Sequence, residues 1–396
     1  MTSSSTARPS LHALTGLRFF AALHVVAFHV VPREGLPRWA SSLLDGGPSS
    51  VTLFFILSGF VLAYSHLGAA DAGHVSRRDF WAARFARIYP VYLLGLVLAA
   101  PPFFLAVLRQ EGGASAQALQ RLASVSTAVF TLTQAWAPSL ACQWNCPGWS
   151  LSVEAFFYAL FPLLALPVAR ARSFVLAAIA LATVLVGLLT AGAAWGMEGW
   201  LAAHPDSVLG ASETWRHVGA YHPVPRLAQF LLGVVMGRAF ALRQAQGQAR
   251  PVPAGLPFLA VALALGVMLP PWTEATLPLR DALLTPLFAG LIWALARGAG
   301  PLARFLEHPV MVRLGEASFA LYILHIPLAY YARVADRLMG LGIERASPPL
   351  FCGLSVAATL LVSRAVFLKV EEPARRWLRA RLTTPQPRAS VAPRTG

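Results

Sequence analysis

The chain has 396 residues, of which 57% are hydrophobic and 12% charged, and its mean hydropathy is +0.59. These values exclude an ordinary soluble domain and predict a protein that crosses a membrane several times. The formal charge is +15, but the Lys and Arg residues stand at the ends of apolar stretches instead of forming one basic stripe, so we predict no nucleic-acid partner.

Hydropathy over windows of about 20 residues predicts an all-α polytopic membrane helix bundle with about ten transmembrane helices. The candidate spans are 17–32, 49–68, 85–108, 150–169, 173–193, 224–242, 254–270, 280–298, 316–335 and 348–369. We predict both termini in the cytoplasm, because about 22 of the 32 Lys and Arg residues then lie on the inner side. The weaker apolar stretch 122–137 would invert every later loop if it spanned. It is therefore predicted to be re-entrant or to lie on the outer face.

The chain divides into three predicted segments. Residues 1–13 form a disordered N-terminal segment, 14–380 the transmembrane domain, and 381–396 a short, Pro-rich disordered tail.

Arg18 and His29 lie eleven residues apart in the first predicted helix, LTGLRFFAALHVVAFHV. Eleven residues make three turns plus about 20°, so both side chains lie on one helix face, about 16 Å apart along the axis. Ionisable groups inside a spanning helix are costly and usually functional. The pair therefore predicts one long site that crosses the bilayer.

Six local patterns follow one another along the chain. They are VTLFFILSGFVLAY, RRDFWAARFARIYP, PGWSLSVEAFFYALFPL, PRLAQFLLGVVMGR, LGEASFALYILHIPL and EEPARR. In this order and spacing, from about Leu14 to Arg376, the chain resembles the acyltransferase-3 family of bacterial integral-membrane O-acyltransferases. Members acylate sugar hydroxyls of polysaccharides, lipid-linked glycans and macrolide antibiotics. The chain departs from the family where Thr15 replaces a frequent acidic residue and where Ser50 replaces a glycine.

His29 is the first candidate catalytic residue. Acyl transfer from a thioester to a hydroxyl needs a base for the hydroxyl proton, and imidazole suits that task near neutral pH. The resemblance implies the same role, because the family histidine of the Arg/Lys-x10-His pattern falls on His29. The alternative is a buried histidine that only bonds a neighbouring helix.

Arg18, Arg84 and Arg87 are the candidate donor-binding residues. The RFAR spacing places Arg84 and Arg87 on one helix face, and guanidinium groups bind phosphates, of which acyl-coenzyme A has three. The family's R-x-x-R motif falls on the same two residues. The alternative is that these arginines only make the loop cytoplasmic and contact anionic lipids.

Glu154 is the second candidate catalytic residue, since a carboxylate beside His29 would fix its tautomer. Alternatively, Glu154 forms a structural ion pair with an arginine such as Arg226. A secondary site, with helix packing as its alternative, comprises Ser318, Tyr322, His325 and Arg226.

Two features mark the predicted outer face. The segment between Gly192 and Pro223 mixes aromatic and polar residues, which suits either sugar binding or a membrane-interface belt. Cys142 and Cys146 flank QWN where a disulfide can form if the loop bends tightly. With three cysteines in the chain, no metal site is predicted.

Together these features predict a multi-pass enzyme of the bacterial inner membrane, an acyltransferase acting on groups other than aminoacyl groups. It would move an acyl group, acetyl by family habit, from cytoplasmic acyl-coenzyme A to a glycan, a lipid-linked sugar or a glycosylated small molecule. No cofactor is predicted besides this donor substrate, and lipids are the other partners. The alternative is a polytopic transporter or proton-coupled exporter that uses the buried charges as a relay.

Overall fold

The computed structural model describes residues 11–68, 76–137, 139–204, 219–247, 252–272, 276–298 and 300–383. This part of the chain is helical and contains no β-strand. The helices are α1 (His12–Val30), α2 (Arg38–Asp45), α3 (Ser50–His66), α4 (Arg77–Gln110), α5 (Ala116–Phe130), α6 (Trp149–Arg170), α7 (Ser173–Ala203), α8 (Pro223–Ala245), α9 (Leu256–Met268), α10 (Leu277–Ala296), α11 (Pro301–Glu307), α12 (Pro309–Glu316), α13 (Ser318–Leu338), α14 (Ile343–Ala346), α15 (Pro348–Val366) and α16 (Glu372–Leu382). A π-helical turn, Phe367–Glu371, joins α15 to α16.

The predicted helical class and membrane-spanning character are confirmed. Within the described residues, eight helices are long and apolar enough to cross a membrane, or nine if α12 and α13, which meet at a bend of 59°, form one broken span. The remaining predicted span, 254–270, corresponds to α9, an apolar helix of 13 residues. The stretch 122–137 falls partly in α5, which is not among the spanning candidates. Ten spans and cytoplasmic termini stay a prediction.

Three helix boundaries differ from the sequence-based ones. Helix α1 begins at His12, inside the segment predicted to be disordered, and α16 continues to Leu382. Residues 1–10 and 384–396 lie outside the described residues. Helix α7 extends to Ala203, so Trp195 and Trp200 of the predicted outer loop belong to a helix. The long apolar composition of α7 allows this continuation, because no Pro interrupts it.

Glycines bring α3 and α8 into backbone contact. A Cβ atom at Gly59 would overlap the carbonyl oxygen of Phe230, and one at Gly233 would overlap that of Ile56. Gly237, one turn later, faces α3 in the same way. Small residues at this spacing let membrane helices approach closely and pack by van der Waals contact. The contact fixes α3, which forms one wall of the cavity described below.

Helix α1 is fixed in a similar way at its first turns. A Cβ atom at Gly315 of α12 would overlap the carbonyl oxygen of Thr15, and one at Gly16 would overlap that of Leu306 in α11. Arg18 follows one turn after Thr15, so these contacts set its position in the bundle.

Arg238 of α8 caps the C-termini of two helices. Its guanidinium group donates to the carbonyl oxygens of Leu67, at the end of α3, at 2.7 Å and of Ala169, at the end of α6, at 2.6 Å. The side chain is buried, with 5% of the residue exposed. One cation therefore caps two neighbouring helix C-termini, where the macrodipole favours positive charge.

Candidate active site

A cavity of about 650 Å³ lies between α1, α3, α4, α6 and α13. Apolar side chains such as Leu14, Phe54 and Leu62 form much of its wall. Its polar lining residues are Thr15, Arg18, Ser58, Tyr64, Ser65, Arg84, Arg87, Ser150, Glu154, Tyr158, Ser318 and Tyr322. We call it the arginine cavity, because three of these residues are arginines. Apolar walls with a few convergent polar groups are typical of small-molecule sites.

The three arginines predicted to bind the donor all line this cavity. Arg18 comes from α1, and Arg84 and Arg87 lie one turn apart on α4. Arg87 is close enough to Arg18 and Arg84 to interact with both electrostatically. The guanidinium carbon of Arg84 lies 6.0 Å from the ring centre of Tyr158. The Nε atom of Arg84 is buried and has no hydrogen-bond partner among the described residues. Such a cluster of like charges favours an anionic ligand.

Glu154 of α6 joins the arginines rather than His29. Ser58 and Tyr158 lie beside its carboxylate, which also interacts electrostatically with Arg87 and Arg18. The predicted contact with His29 is not formed in the structure. The reason is the position of Glu154 on α6, where its side chain faces the cavity that Arg18 and Arg87 line.

The alternative, an ion pair of Glu154 with an arginine such as Arg226, is not formed with Arg226. Arg226 of α8 forms an ion pair with Asp281 of α10, with 2.7 Å between the guanidinium Nη1 and the carboxylate Oδ2. The hydroxyl of Ser49 donates to the other carboxylate oxygen at 2.5 Å. Arg226 does not line the arginine cavity. It belongs to a polar network that connects three helix ends.

His29 lies outside the lining of the arginine cavity, toward the other end of α1, and its partner is His325 of α13. The Nε2 atom of His325 is 3.2 Å from the Nδ1 atom of His29, and the ring centres are 4.9 Å apart. His325 is completely buried, whereas His29 is exposed. The Nδ1 atom of His29 is also 2.9 Å from the carbonyl oxygen of Val25. An exposed imidazole held from one side by a buried one is accessible to a reactant.

The remaining members of the predicted secondary site connect the two regions. Ser318 and Tyr322 line the arginine cavity, and His325 follows Tyr322 by three residues on α13. The hydroxyls of Tyr322 and Ser150 lie 3.0 Å apart and form a hydrogen bond. Tyr322 therefore stands between the cavity and the two histidines.

The structure adds three residues that the sequence interpretation missed. Ser58 and Tyr158 lie beside Glu154, and Glu371 interacts electrostatically with Arg87 and Arg18. Tyr158 follows Glu154 by four residues, a spacing that places both on one helix face, so the signal was present in the sequence. Glu371 belongs to the EEPARR pattern and lies in the π-helical turn, a local geometry that is frequent at functional sites.

The predicted outer face contains an aromatic cluster. Ring centres are 5.1 Å apart both for Trp149 and Tyr221 and for Trp136 and His222. His204 stacks on Trp200. The other polar and aromatic residues of the predicted loop, which are Asp206, Glu213, Trp215, Arg216 and His217, lie outside the described residues.

Cys142 and Cys146 are joined by a disulfide. Within the described part of the chain, no group of three or more His, Cys, Asp or Glu residues is placed to hold a metal ion.

Comparison of the whole chain with known proteins shows the family to which it belongs. The family model described as an acyltransferase domain matches residues 11–367, which include the whole arginine cavity and both histidines. The acyltransferase MdmB of Streptomyces mycarofaciens is 33% identical over 408 residues, which cover 97% of each chain. The exopolysaccharide production protein ExoZ of Rhizobium meliloti is 26% identical over 346 residues, or 85% of this chain and 92% of ExoZ. No solved structure matches the chain.

The family match thus extends over nearly all of a helical bundle whose described part contains at least eight helices able to span a membrane. MdmB aligns with it almost end to end. The chain is an acyltransferase, a multi-pass membrane protein, and belongs to the acyltransferase-3 family.

Proposed function

We propose that the protein transfers an acyl group, acetyl in the first instance, from acyl-coenzyme A to a hydroxyl group of a sugar-containing acceptor. The donor enters from the cytoplasm, and the enzyme lies in the bacterial inner membrane. The observation that carries the proposal is the convergence of Arg18, Arg84 and Arg87 from two helices on one cavity with largely apolar walls.

The arginine cavity suits the chemistry of the donor. Coenzyme A has three phosphates, and guanidinium groups bind phosphate oxygens through paired hydrogen bonds. The orphaned Nε atom of Arg84 supplies a buried donor that a phosphate oxygen would satisfy. Beyond the arginines, the apolar wall formed by Phe54 and Leu62 suits the pantetheine arm and the acyl chain. We assign Glu154 to this cluster, where its negative charge keeps three like charges close together.

His29 is the proposed general base. It lies on the same face of α1 as Arg18, about 16 Å away along the helix axis, and the thioester passes Tyr322 to reach it. The imidazole takes the proton of the acceptor hydroxyl while the oxygen bonds to the acyl carbon. The bond from that carbon to sulfur breaks, and the thiolate of coenzyme A receives the proton from the imidazolium. An ester and a free thiol are the products, so atoms and charges balance.

The acceptor is assigned by class. The name of the similar protein ExoZ refers to exopolysaccharide production, which supports a glycan acceptor for this chain as well. We include lipid-linked sugars and glycosylated small molecules in the same class, because each offers a sugar hydroxyl. Membership of an acyltransferase family gives no support to the transporter alternative.

The test is acyl transfer by the purified protein in nanodiscs, with radiolabelled acetyl-coenzyme A and a panel of the three acceptor classes. The wild type is compared with His29→Ala, and donor binding is measured separately for both. We expect the variant to bind the donor as the wild type does and to lose transfer by about 10²-fold or more, which is the usual contribution of a general base.

His24→Gln is the matched control. His24 lies on the same helix, and its ring contacts Ser50 Oγ at 2.9 Å and the Leu43 carbonyl oxygen at 2.7 Å, away from His325. A glutamine can keep a donor and an acceptor there, so we expect transfer to survive. Full activity in His29→Ala would exclude His29 as the base. Absence of acetyl-coenzyme A binding by the wild type would contradict the donor assignment.

A further inference from the structure

The contact between His29 and His325 defines where the protons of both rings lie. The Nδ1 atom of His325 is 2.7 Å from the backbone carbonyl oxygen of Tyr322. A carbonyl oxygen only accepts hydrogen bonds, so Nδ1 of His325 carries a hydrogen. In a neutral imidazole the other nitrogen is then bare. Nε2 of His325 is therefore an acceptor, and it points at His29.

The same reasoning extends to the second ring. Nδ1 of His29 faces two acceptors, which are Nε2 of His325 at 3.2 Å and the carbonyl oxygen of Val25 at 2.9 Å. Nδ1 of His29 must therefore carry a hydrogen that the two acceptors share. Nε2 of His29, the other nitrogen of this exposed ring, is left with its lone pair.

The contact with the carbonyl four residues earlier is common to other helical histidines of this chain. His66 and His204 place Nδ1 at 3.0 and 2.9 Å from the carbonyl oxygens of Leu62 and Trp200. The contact with a second, fully buried imidazole distinguishes His29 from these two histidines. The contact with His325 is therefore the feature from which a role of His29 can be argued.

We propose that His325 is a positioning residue, which holds His29 with the proton on Nδ1 and the lone pair of Nε2 directed away as the base. This role rests on the proposed function, in which His29 takes the hydroxyl proton. When Nε2 of His29 takes that proton, the ring becomes positive and its Nδ1–H bond to His325 strengthens. His325 accepts this bond as a neutral ring, fixed through the Tyr322 backbone.

The surroundings of His325 support this role. Its ring is completely buried, and the Tyr322 side chain on the same helix is bonded to Ser150 of α6. Tyr322 thus fixes both the backbone acceptor and the side chain next to His325. An imidazole with no freedom to turn is suited to select one tautomer of its neighbour, as a fixed acceptor does in hydrolase triads.

The experiment is nitrogen NMR of the full-length protein in nanodiscs, labelled with ¹⁵N at its ten histidines. The His29 signals are assigned by difference with His29→Gln. At neutral pH we expect His29 in the Nδ1–H form in the wild type. In His325→Leu, which removes one of the two acceptors and leaves only the Val25 carbonyl oxygen, we expect the His29 Nδ1 signal to shift and the Nε2–H form to appear. His325→Gln, whose Oε1 atom accepts in a similar place, should restore the wild-type signal.

Activity supplies the second readout. We expect kcat to fall roughly tenfold in His325→Leu, a part of the 10²–10⁴ that a general base contributes, and to recover in His325→Gln. The KM for the donor should stay unchanged, because Arg18, Arg84 and Arg87 are untouched. His24→Gln is the control for loss of a histidine from the bundle, and it should leave the His29 signal unchanged.

The outcomes separate this proposal from the proposed function. A wild-type His29 in the Nε2–H form, or identical His29 signals in folded His325→Leu, would overturn the positioning role. An Nδ1–H signal that depends on His325 would support the hydrogen-bond assignment, and this measurement needs no acyl-acceptor substrate. If transfer nevertheless survived in His29→Ala, the base role would fail and, with it, the catalytic part of the positioning role.

Discussion

Arg226 and Asp281 form a nearly buried ion pair between α8 and α10, in which each side chain is 11% exposed and the charged atoms are 2.7 Å apart. The hydroxyl of Ser49, just before α3, donates to the other carboxylate oxygen, and the Nε atom of Arg280 lies 3.9 Å from that oxygen. Three helices that the sequence separates by up to 232 residues are thus joined through one carboxylate. This makes Asp281 a structural residue rather than a part of the arginine cavity.

Replacement of Asp281 by Ala should destabilise the protein strongly. The change leaves the Arg226 guanidinium buried without its counter-ion, and loss of one partner of a buried pair costs about 3–5 kcal/mol. The measurement is the midpoint of thermal unfolding in nanodiscs. Asp45→Ala is the control, because its pair with Arg33 is more exposed, at 55% and 30%, and such pairs contribute about 0–1 kcal/mol. Equal midpoints for both variants would contradict the structural role.

Arg87→Lys should weaken donor binding although it keeps the positive charge. The bidentate fork is lost, and we expect affinity for acetyl-coenzyme A to fall about tenfold, or about 1.4 kcal/mol. Binding to nanodisc-embedded protein measures this directly. Arg78→Lys, at the exposed start of α4, should bind as the wild type does. Unchanged affinity in Arg87→Lys would remove Arg87 from the donor site.

Gly233→Ala should lower stability by about 1–3 kcal/mol, which is the usual cost of overpacking. The added methyl group meets the backbone of Ile56, which cannot turn away as a side chain can. Gly290→Ala is a matched control in α10, where a Cβ atom meets nothing within 4 Å. Thermal unfolding of the two variants should therefore differ clearly. If Gly233→Ala were as stable as Gly290→Ala, the close contact of α3 and α8 would be wrong.

Cysteine labelling tests the ten-helix topology. Met339→Cys, just after α13, should react with a membrane-impermeant maleimide in intact cells, and Gln246→Cys, just after α8, should not. Both positions are exposed, while the native Cys352 is buried and the other two cysteines form a disulfide. Lysed cells provide the control that Gln246→Cys can react. The reverse pattern would overturn the predicted orientation.

The arginine cavity was largely predictable from the sequence, because its parts follow local rules. Arg18 stands out as a cation in an apolar helix, and the spacing of Arg84 and Arg87 places them on one face. Any bundle that begins α1 and α4 on the same side of the membrane brings these three residues to one depth. The structure places all three around one cavity.

The partners of Glu154 and His29 were not predictable in the same way. A buried side chain bonds whatever helix lies beside it, and hydropathy gives the depth of a residue without the lateral order of the helices. Because α13 packs against α1, His29 contacts His325. Because Glu154 lies on the side of α6 that faces the cavity, it interacts with Arg87 and Arg18. The proximity of Tyr158 to Glu154 is the exception, since the two residues are four apart on one helix.

Arg238 has a consequence for the electrostatic potential at the arginine end of the bundle, where Arg18, Arg84 and Arg87 lie. Helices α3 and α6 both end there, and an uncapped C-terminus carries roughly half a negative charge. Their carbonyl oxygens at Leu67 and Ala169 are occupied by Arg238. Two negative poles are thus neutralised by a residue outside the cavity lining, so they do not compete with an anionic ligand for the cavity's arginines.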